Sequence, residues 1–504
     1  MNDDISVLDM QIQDVNSEYL GVSRLQLMEN AGTAVAQTVM RDPGFSTFEA
    51  ILILCGTGGN GGDGLVAARK LAPSKKIRIL ILGNIERTRS APTRHNWEMT
   101  KRMFLSTKIV VAKHKESVPE EWFRGKIAII DGILGTGITG ELREPIKTAV
   151  QLANAAKSRD IPIYAIDCPT GVDPQTGETK SDWIQPSCTI ALHKKKAGLS
   201  PNLCGKIVLS SIGMPLETEF VVGPGDLLAI PLKNSEARKG DSGKVLVIGG
   251  SQEYTGAPAL AALAALRGGA DLAIIAAPVD VANSIRSFSP ELIVRGFEGS
   301  HFNPSSIAEL ENLISWADVV VIGPGLGIDT ETKKSFHILT KNLNSLEKAV
   351  VLDADALKIV DKGMLSTNFV LTPHPGEFLA LTGNSLPLVS ANFPKRWELV
   401  KQTAKNWKCT FLVKGKWDII ADEDCSKINL SGCSEMTIGG TGDVLAGLTA
   451  ALYAKCRDPF RSAAVGAFLN GLSGEMTLKQ WGYVTPLRMI QTIPKAMEDA
   501  RTRI

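Results

Sequence analysis

The feature that most constrains the fold is a repeated pair of segments. A short, wholly apolar β-type run ends in glycine, and an Ala/Leu-rich helical stretch follows it. Such runs occupy 50–54, 77–82, 126–130 and 161–166, and a second set occupies 244–248, 272–276, 319–322, 350–352, 410–413 and 418–421. They are apolar throughout instead of alternating, the pattern of strands covered on both faces of a parallel sheet. Stretches such as 65–71 and 259–266 supply the helical crossovers. The sequence predicts an α/β protein.

Length and composition narrow the class. A chain of 504 residues favours two to four domains over one. With 55 basic and 53 acidic side chains the net charge is +2, so nothing draws the whole chain to nucleic acid or an anionic membrane. No apolar run approaches the ~18 residues of a membrane span; the segment from Ala257 meets Arg267 and Asp271. Met1-Asn2-Asp3-Asp4 is acidic where a secretory signal would be basic. Eight cysteines form no CxxC pair and have no histidine at zinc-ligand spacing. The expected location is the cytoplasm, with reduced, mostly buried thiols. Periodicity fades between Ile212-Gly213-Met214-Pro215 and Gly240, which puts a domain break near 216–225. Lys194-Lys195-Lys196 reads as a solvated loop rather than a polyanion site.

In the first half, Gly56-Thr57-Gly58-Gly59-Asn60-Gly61-Gly62-Asp63-Gly64 lies between a strand and a helix. Glycines there let the backbone approach a diphosphate seated on the helix N-terminus, although a tight turn alone would also use some of them. The dehydrogenase version of this fingerprint needs an acid at the end of the next strand. That strand ends Leu82-Gly83-Asn84 instead. Asp131, followed by Gly135-Thr136-Gly137, and Asp167, followed by Pro169-Thr170-Gly171, mark two further strand ends. Ligand crevices open at the carboxyl ends of parallel strands, so Asn60, Asp131, Asp167 and Thr170 are expected to converge. Their oxygens suit a hard cation, and one carboxylate suits a general base, though each Asp alone could be a helix cap.

The second half carries Gly439-Gly440-Thr441-Gly442-Asp443 running into a helix. A turn of this kind aims several backbone N–H groups at one point beside a carboxylate, an anion hole for a transferring phosphoryl group with Asp443 as base. Other strand ends add Gly249-Gly250-Ser251, the 323–327 glycine segment, Asp353-Ala354-Asp355, Thr372-Pro373-His374-Pro375-Gly376-Glu377 and Lys414-Gly415. His374 between prolines reads as a rigid site residue. Lys414 reads either as a nucleotide contact or as a surface lysine.

These motifs resemble a known pair of families. Leu27-Met28-Glu29-Asn30-Ala31-Gly32, the Gly58–Gly64 segment, Asp131 with Gly135-Thr136-Gly137, and Asp167-Cys168-Pro169-Thr170-Gly171 resemble the NAD(P)H-hydrate epimerase (YjeF N-terminal) domain over 1–217. Tyr254-Thr255-Gly256-Ala257-Pro258, the Pro-Gly-Leu-Gly and Asp-Ala-Asp segments, the His374 stretch and Gly440–Gly447 resemble the ADP/ATP-dependent NAD(P)H-hydrate dehydratase branch of the ribokinase-like superfamily over 223–504. The resemblance implies a Rossmann-like three-layer domain followed by a ribokinase-like one, and repair of hydrated NADH and NADPH. The first domain would interconvert the R and S hydrates (NADHX, NADPHX). The second would dehydrate the S form with ADP, giving AMP and phosphate.

By the same resemblance, Gly59, Asn60, Gly61, Gly62, Asp63, Gly135, Thr136, Gly137, Ile138, Thr139, Gly140, Glu141 and Asp167 hold the hydrate in the first domain, where Asp167 is also catalytic. K⁺ is bound by Asn60, Asp131 and Thr170. In the second domain Ala257, Gly325, His374 and Asp443 meet the hydrate. Lys414, Gly415, Lys416, Trp417, Asp418 and Gly442 meet ADP, and Mg²⁺ assists. Gly59 stands where the family usually has Asn, and Thr170 where it usually has Ser. The family's habit also implies a homo-oligomer. Two other readings remain: a ribokinase-like vitamin kinase, which would leave a phosphorylated product, and an NAD-dependent oxidoreductase, which would need the missing ribose acid. A third would make the first domain a binding scaffold.

Overall fold

The structure, a computed structural model, describes residues 4–135, 140–179, 182–234, 236 and 238–504. The chain divides into two compact units, Met1–Leu216 and Glu217–Ile504.

In the first unit seven parallel strands lie in the order Thr107–Ala112, Lys76–Leu82, Ala50–Cys55, Ile127–Gly132, Ile163–Ile166, Cys188–Leu192, Lys206–Ser210. Every residue of Ala50–Cys55 is buried. Ile51, Ile53 and Cys55 face one core, shared with helices Arg24–Met40 and Gly59–Leu71. Ala50, Leu52 and Leu54 face the other, shared with helix Ile146–Lys157. From Ala50–Cys55 the chain steps outward to one edge, then restarts at Ile127–Gly132 and steps to the other. The ligand crevice of such a sheet opens at that reversal. Apart from this sheet, Asp4–Ile5 pairs in parallel with Lys195–Lys196.

The second unit has nine strands in the order Ile293–Phe297, Leu272–Pro278, Lys244–Ile248, Val319–Ile322, Ala349–Leu352, Phe369–Leu371, Thr410–Val413, Asp418–Ala421, Ser426–Asn429. Asp418–Ala421 is antiparallel to both of its neighbours, which corrects the parallel reading of 418–421. Only residues 414–417 join that strand to its neighbour, too few for the crossover a parallel strand requires. Helices Gly256–Arg267, Thr441–Cys456, Pro459–Trp481 and Pro486–Thr502 build one core, and Pro304–Trp316, Thr330–Ser345 and Val389–Trp407 the other. Gly447 permits the tightest helix contact, because a Cβ there would lie 1.9 Å from the carbonyl oxygen of Ala261. The aperiodic stretch after 216 docks on the edge strand: Val221 bridges Ile428, and Val222, Leu227 and Ile230 enter the core.

Five cysteines are buried and none is in a disulfide; Cys425 is exposed, where the sequence favoured burial. Among the described residues no helix is long and apolar enough to cross a membrane.

Candidate functional site

At the reversal of the first sheet, Gly58 opens helix Gly59–Leu71 without a side-chain cap, so the amides of the first turn have no side-chain partner there. Two glycines are compulsory. A Cβ on Gly56 would sit 1.9 Å from the Ile133 oxygen, and one on Gly61 would sit 2.0 Å from the Gly56 oxygen. A Cβ on Gly62 would strike Met28 at 2.5 Å, whereas one on Gly59 would meet nothing within 4 Å.

Asn60 follows on the same turn and donates its Nδ2 to the carbonyls of Leu134 at 3.1 Å and Ile166 at 2.9 Å. The Leu134 amide donates to Thr170 Oγ1 at 3.1 Å, and that hydroxyl donates to Asp131 Oδ1 at 2.7 Å. Asp131 also accepts from the amides of Thr170 at 2.8 Å and Ile133 at 3.2 Å. Asn60, Asp131 and Thr170 therefore form one connected group of oxygens, with Gly135 against the Asn60 carboxamide. Burial lifts the Asp131 carboxyl to about 6 despite these donors, and no ammonium or guanidinium contacts it among the described residues.

Asp167 ends its strand in the left-handed region, at φ 62°, a conformation an aspartate tolerates and active sites often retain. Its Oδ1 accepts from the Leu192 amide at 3.1 Å and forms an ion pair with Lys196. Lys196 is wholly buried, which overturns the solvated-loop reading of the basic run. Its ammonium also donates to the Leu192 oxygen at 3.1 Å and the Lys194 oxygen at 3.4 Å. Asp63, assigned by resemblance to the substrate, lies buried with this pair; burial first, then the charges of Asp167 and Asp14, push its carboxyl well above the usual range. Asp14, on helix Val7–Tyr19, is lifted to about 6 by burial, with Lys196 opposing. Sequence reading missed Lys196 and Asp14; only the strand pairing that buries Lys196 reveals them. Gly140 and Glu141 are exposed, and Thr136, Gly137, Ile138 and Thr139 lie outside the described residues.

In the second unit a cavity of about 1080 Å³ is lined by His374, Lys414, Gly415, Lys416, Trp417, Asp418 and Gly442, with Met436, Ile438 and Asn470 in its wall. His374 caps helix Pro375–Thr382: its Nδ1 accepts from the amides of Gly376 at 3.0 Å and Glu377 at 3.2 Å. Asp418 locks the turn, accepting from the Gly415 amide at 2.9 Å and from Asn429 at 3.0 Å; burial raises its carboxyl to about 6. Trp417 packs edge-on against Phe393 at 5.0 Å.

Lys414 donates to Asp353 Oδ1 at 2.9 Å, and Thr372 donates to the same oxygen at 2.7 Å. Burial opposes the Lys414 charge, but the carboxylates of Asp353 and Glu377 outweigh it and hold the ammonium above its usual pKa. A Cβ on Gly442 would lie 3.2 Å from that ammonium, so Lys414 sits against the start of helix Thr441–Cys456. Gly440 caps this helix at φ 95°, again without a side-chain bond. Asp443, in its first turn, is pushed up to about 7 by burial and by Asp353, with Lys414 pulling the other way. A carboxylate titrating near neutrality is suited to general-base work.

Ala257, Gly325 and Asp443 are not on the cavity wall. Gly325 abuts Tyr254, whose oxygen would lie 2.7 Å from a Cβ there, and its segment is tied to Asp355 through the Gly327 amide at 3.0 Å. Sequence reading placed Asp353 on the rim but gave it no role, and it missed Asn470, whose buried Oδ1 has no hydrogen-bond partner.

Comparison with known proteins gives consistent matches. A family profile described as "YjeF-related protein N-terminus" matches residues 24–198, and one described as "NAD(P)H-hydrate dehydratase" matches 245–495. A bifunctional NAD(P)H-hydrate repair enzyme from Pyrobaculum aerophilum is 41% identical over 501 residues, covering 98% of each chain. One from Methanothermobacter thermautotrophicus is 38% identical, covering 97% of this chain and 95% of its own. Among solved structures, an ADP/ATP-dependent NAD(P)H-hydrate dehydratase from Bacillus subtilis co-crystallised with ATP/Mg²⁺ covers 55% of this chain and 99% of its own, at 24% identity and a TM-score of 0.46.

Proposed function

The chain belongs to the family of bifunctional NAD(P)H-hydrate repair enzymes, with an epimerase domain and a dehydratase domain, and we propose the residues by which it does each. In the second unit, the carrying observation is the uncapped N-terminus of helix Thr441–Cys456, with the Lys414 ammonium against it and Asp443 titrating near 7. Bare amides and an ammonium stabilise the negative charge of a transferring phosphoryl group. Asp443 takes the proton from the C6 hydroxyl of the S hydrate, and the oxygen attacks the terminal phosphoryl of ADP. The ring nitrogen's electron pair then expels phosphate as the C6–O bond breaks, and loss of a C5 proton from the resulting iminium to water restores the dihydropyridine, leaving AMP. The turn from Lys414 to Asp418 and Gly442 hold the nucleotide. His374, whose Nδ1 caps the helix and whose Nε2 lies 3.5 Å from Glu377 Oε1, meets the hydrate.

No cluster of three or more His, Cys, Asp or Glu able to hold a metal occurs among the described residues. Mg²⁺ keeps waters and is commonly bound by one or two carboxylates with substrate phosphates, so it would enter with the nucleotide. When bound, it neutralises phosphate charge.

In the first unit the uncapped turn at Gly58 takes the diphosphate of the hydrated dinucleotide. The oxygens of Asn60, Asp131 and Thr170 fit K⁺, because they are hard donors around a buried carboxylate that lacks a basic partner. The ion would supply positive charge beside the substrate. Asp167 meets the nicotinamide ring and moves the proton of epimerisation. The protein acts in the cytoplasm, as a homo-oligomer. The test is to incubate the chain with S-NADHX with and without ADP and follow the absorbance of restored NADH. Nucleotide-dependent recovery supports the reading, and its absence refutes it.

A further inference from the structure

We infer that Lys196 is the positioning residue of the epimerase reaction, fixing one oxygen of Asp167 so that the other exchanges the proton. The inference rests on the reading of the first unit as the epimerase with Asp167 at the substrate ring.

Three features of the geometry carry it. First, Lys196 is wholly buried, and a lysine is almost never so unless paired. Its three acceptors are Asp167 Oδ1 and the carbonyls of Leu192 and Lys194, which together use all three ammonium protons. Secondly, Asp167 is held on one side only. Oδ1 takes both Lys196 and the Leu192 amide, while Oδ2 has no donor among the described residues. The carboxylate is thus fixed in rotation and keeps one oxygen for chemistry. Thirdly, Lys196 is itself held from outside the main sheet. Its strand pairs with Asp4–Ile5, Ala197 donates to the Ile5 oxygen at 3.1 Å, and Lys195 bonds Asp4 at 2.8 Å.

The surroundings make the ammonium necessary. Asp14 from helix Val7–Tyr19 and Asp63 from helix Gly59–Leu71 are within electrostatic reach of Asp167, and Lys196 acts on both. Arg24 acts on Asp14 from a different helix. Without Lys196, three carboxylates would share a buried space with no ammonium in contact with Asp167.

The C6 centre of the hydrate is a hemiaminal carbon, and inverting it requires one bond to open and reclose. Asp167 Oδ2 takes the proton of the C6 hydroxyl, the C6–N1 bonding pair passes to N1, and C6 becomes an aldehyde carbon. The proton on Asp167 then passes to N1. Rotation about C5–C6 presents the other face, and the reverse sequence closes the ring. Protons and electrons balance, and no other reactant is consumed.

The test uses the full chain as Lys196→Ala, Lys196→Gln and Asp167→Asn, with R–S exchange followed above the spontaneous rate. Misorienting a reacting group by about 1 Å costs on the order of 10²-fold. Both Lys196 variants should lose about that factor in kcat, with KM for R-NADHX little changed and dehydration of S-NADHX unaffected. Propylammonium should restore exchange to Lys196→Ala by filling the space left by the side chain. Parental exchange in either folded Lys196 variant overturns the inference, as does a loss in Lys196→Ala that propylammonium does not relieve. Lys196→Gln, which keeps a donor and most of the volume, decides the matter if the alanine variant fails to fold. Normal exchange in Asp167→Asn would instead overturn the assignment of the site. Loss in Asp167→Asn with parental exchange in both Lys196 variants would overturn only the role of Lys196.

Discussion

Replacing Asp443 by Asn keeps the side chain's size and its place in the first turn of helix Thr441–Cys456, but removes its ability to accept a proton. A positioned general base contributes typically about 10²–10⁴-fold, so dehydration of S-NADHX should fall by that factor. The pH profile gives a sharper test. Burial and the neighbouring Asp353 hold the Asp443 carboxyl at about 7. Its basic form is the ionised one, so the parent rate should climb as pH rises through about 7 and level off above it. At pH 5, two units below, about 1% is ionised, and the rate should be roughly a hundredfold under the plateau. An unperturbed aspartate, at about 3.9, would still be over 90% ionised there and would give almost no loss. The asparagine variant should lose this limb as well as the rate, while ADP affinity by calorimetry and R–S exchange stay near parental values. Near-normal dehydration by the folded variant, or a parent profile flat from pH 5 to 8, would refute the reasoning.

Asp167→Ala should abolish R–S exchange in the first unit while ADP-dependent dehydration of S-NADHX persists, measured on one preparation with resolved epimers. Exchanging potassium for sodium should slow epimerisation if Asn60, Asp131 and Thr170 hold K⁺; indifference to the ion would count against that site. Gly59→Asn should fold normally, since a Cβ there meets nothing within 4 Å, and should lower KM for the hydrate. Gly447→Ala would drive a methyl to 1.9 Å from the Ala261 oxygen and should cost about 1–3 kcal/mol or more in the second unit, read as a lower unfolding midpoint with lost dehydration.

What the sequence reveals tracks burial only in part, for Cys188–Leu192 and Phe369–Leu371 are fully buried yet are not among the runs read from it. Strands covered on both faces, such as Ala50–Cys55 and Val319–Ile322, are legible as unbroken apolar runs. Edge strand Ile293–Phe297 is half exposed and interrupted by Arg295 and Gly296, while Thr107–Ala112 and Lys206–Ser210 hold only short apolar stretches, 109–112 and 207–209, beside polar ends. Ser426–Asn429 hides for the same reason. In the site, glycines forced by backbone contact at 56 and 61 announce themselves, as do acids at strand ends. The grouping of Asn60, Asp131 and Thr170 follows from strand order alone, because the three loops flank one reversal. Lys196 is illegible by the same logic. A lysine in a basic run reads as solvated, and its partner lies 29 residues earlier, across a pairing with a two-residue strand near the N-terminus. Asp353 needs Lys414, 61 residues away, to acquire a role.

The most direct test of the central claim is a product balance on the unmodified chain. A mixture of R- and S-NADHX is incubated with ADP, and both epimers, NADH, AMP and phosphate are quantified to completion. The account predicts that both epimers disappear and that each NADH formed is matched by one AMP and one phosphate. ADP consumed with a phosphorylated product and no NADH would contradict it, as would an R epimer left behind after the S form is exhausted.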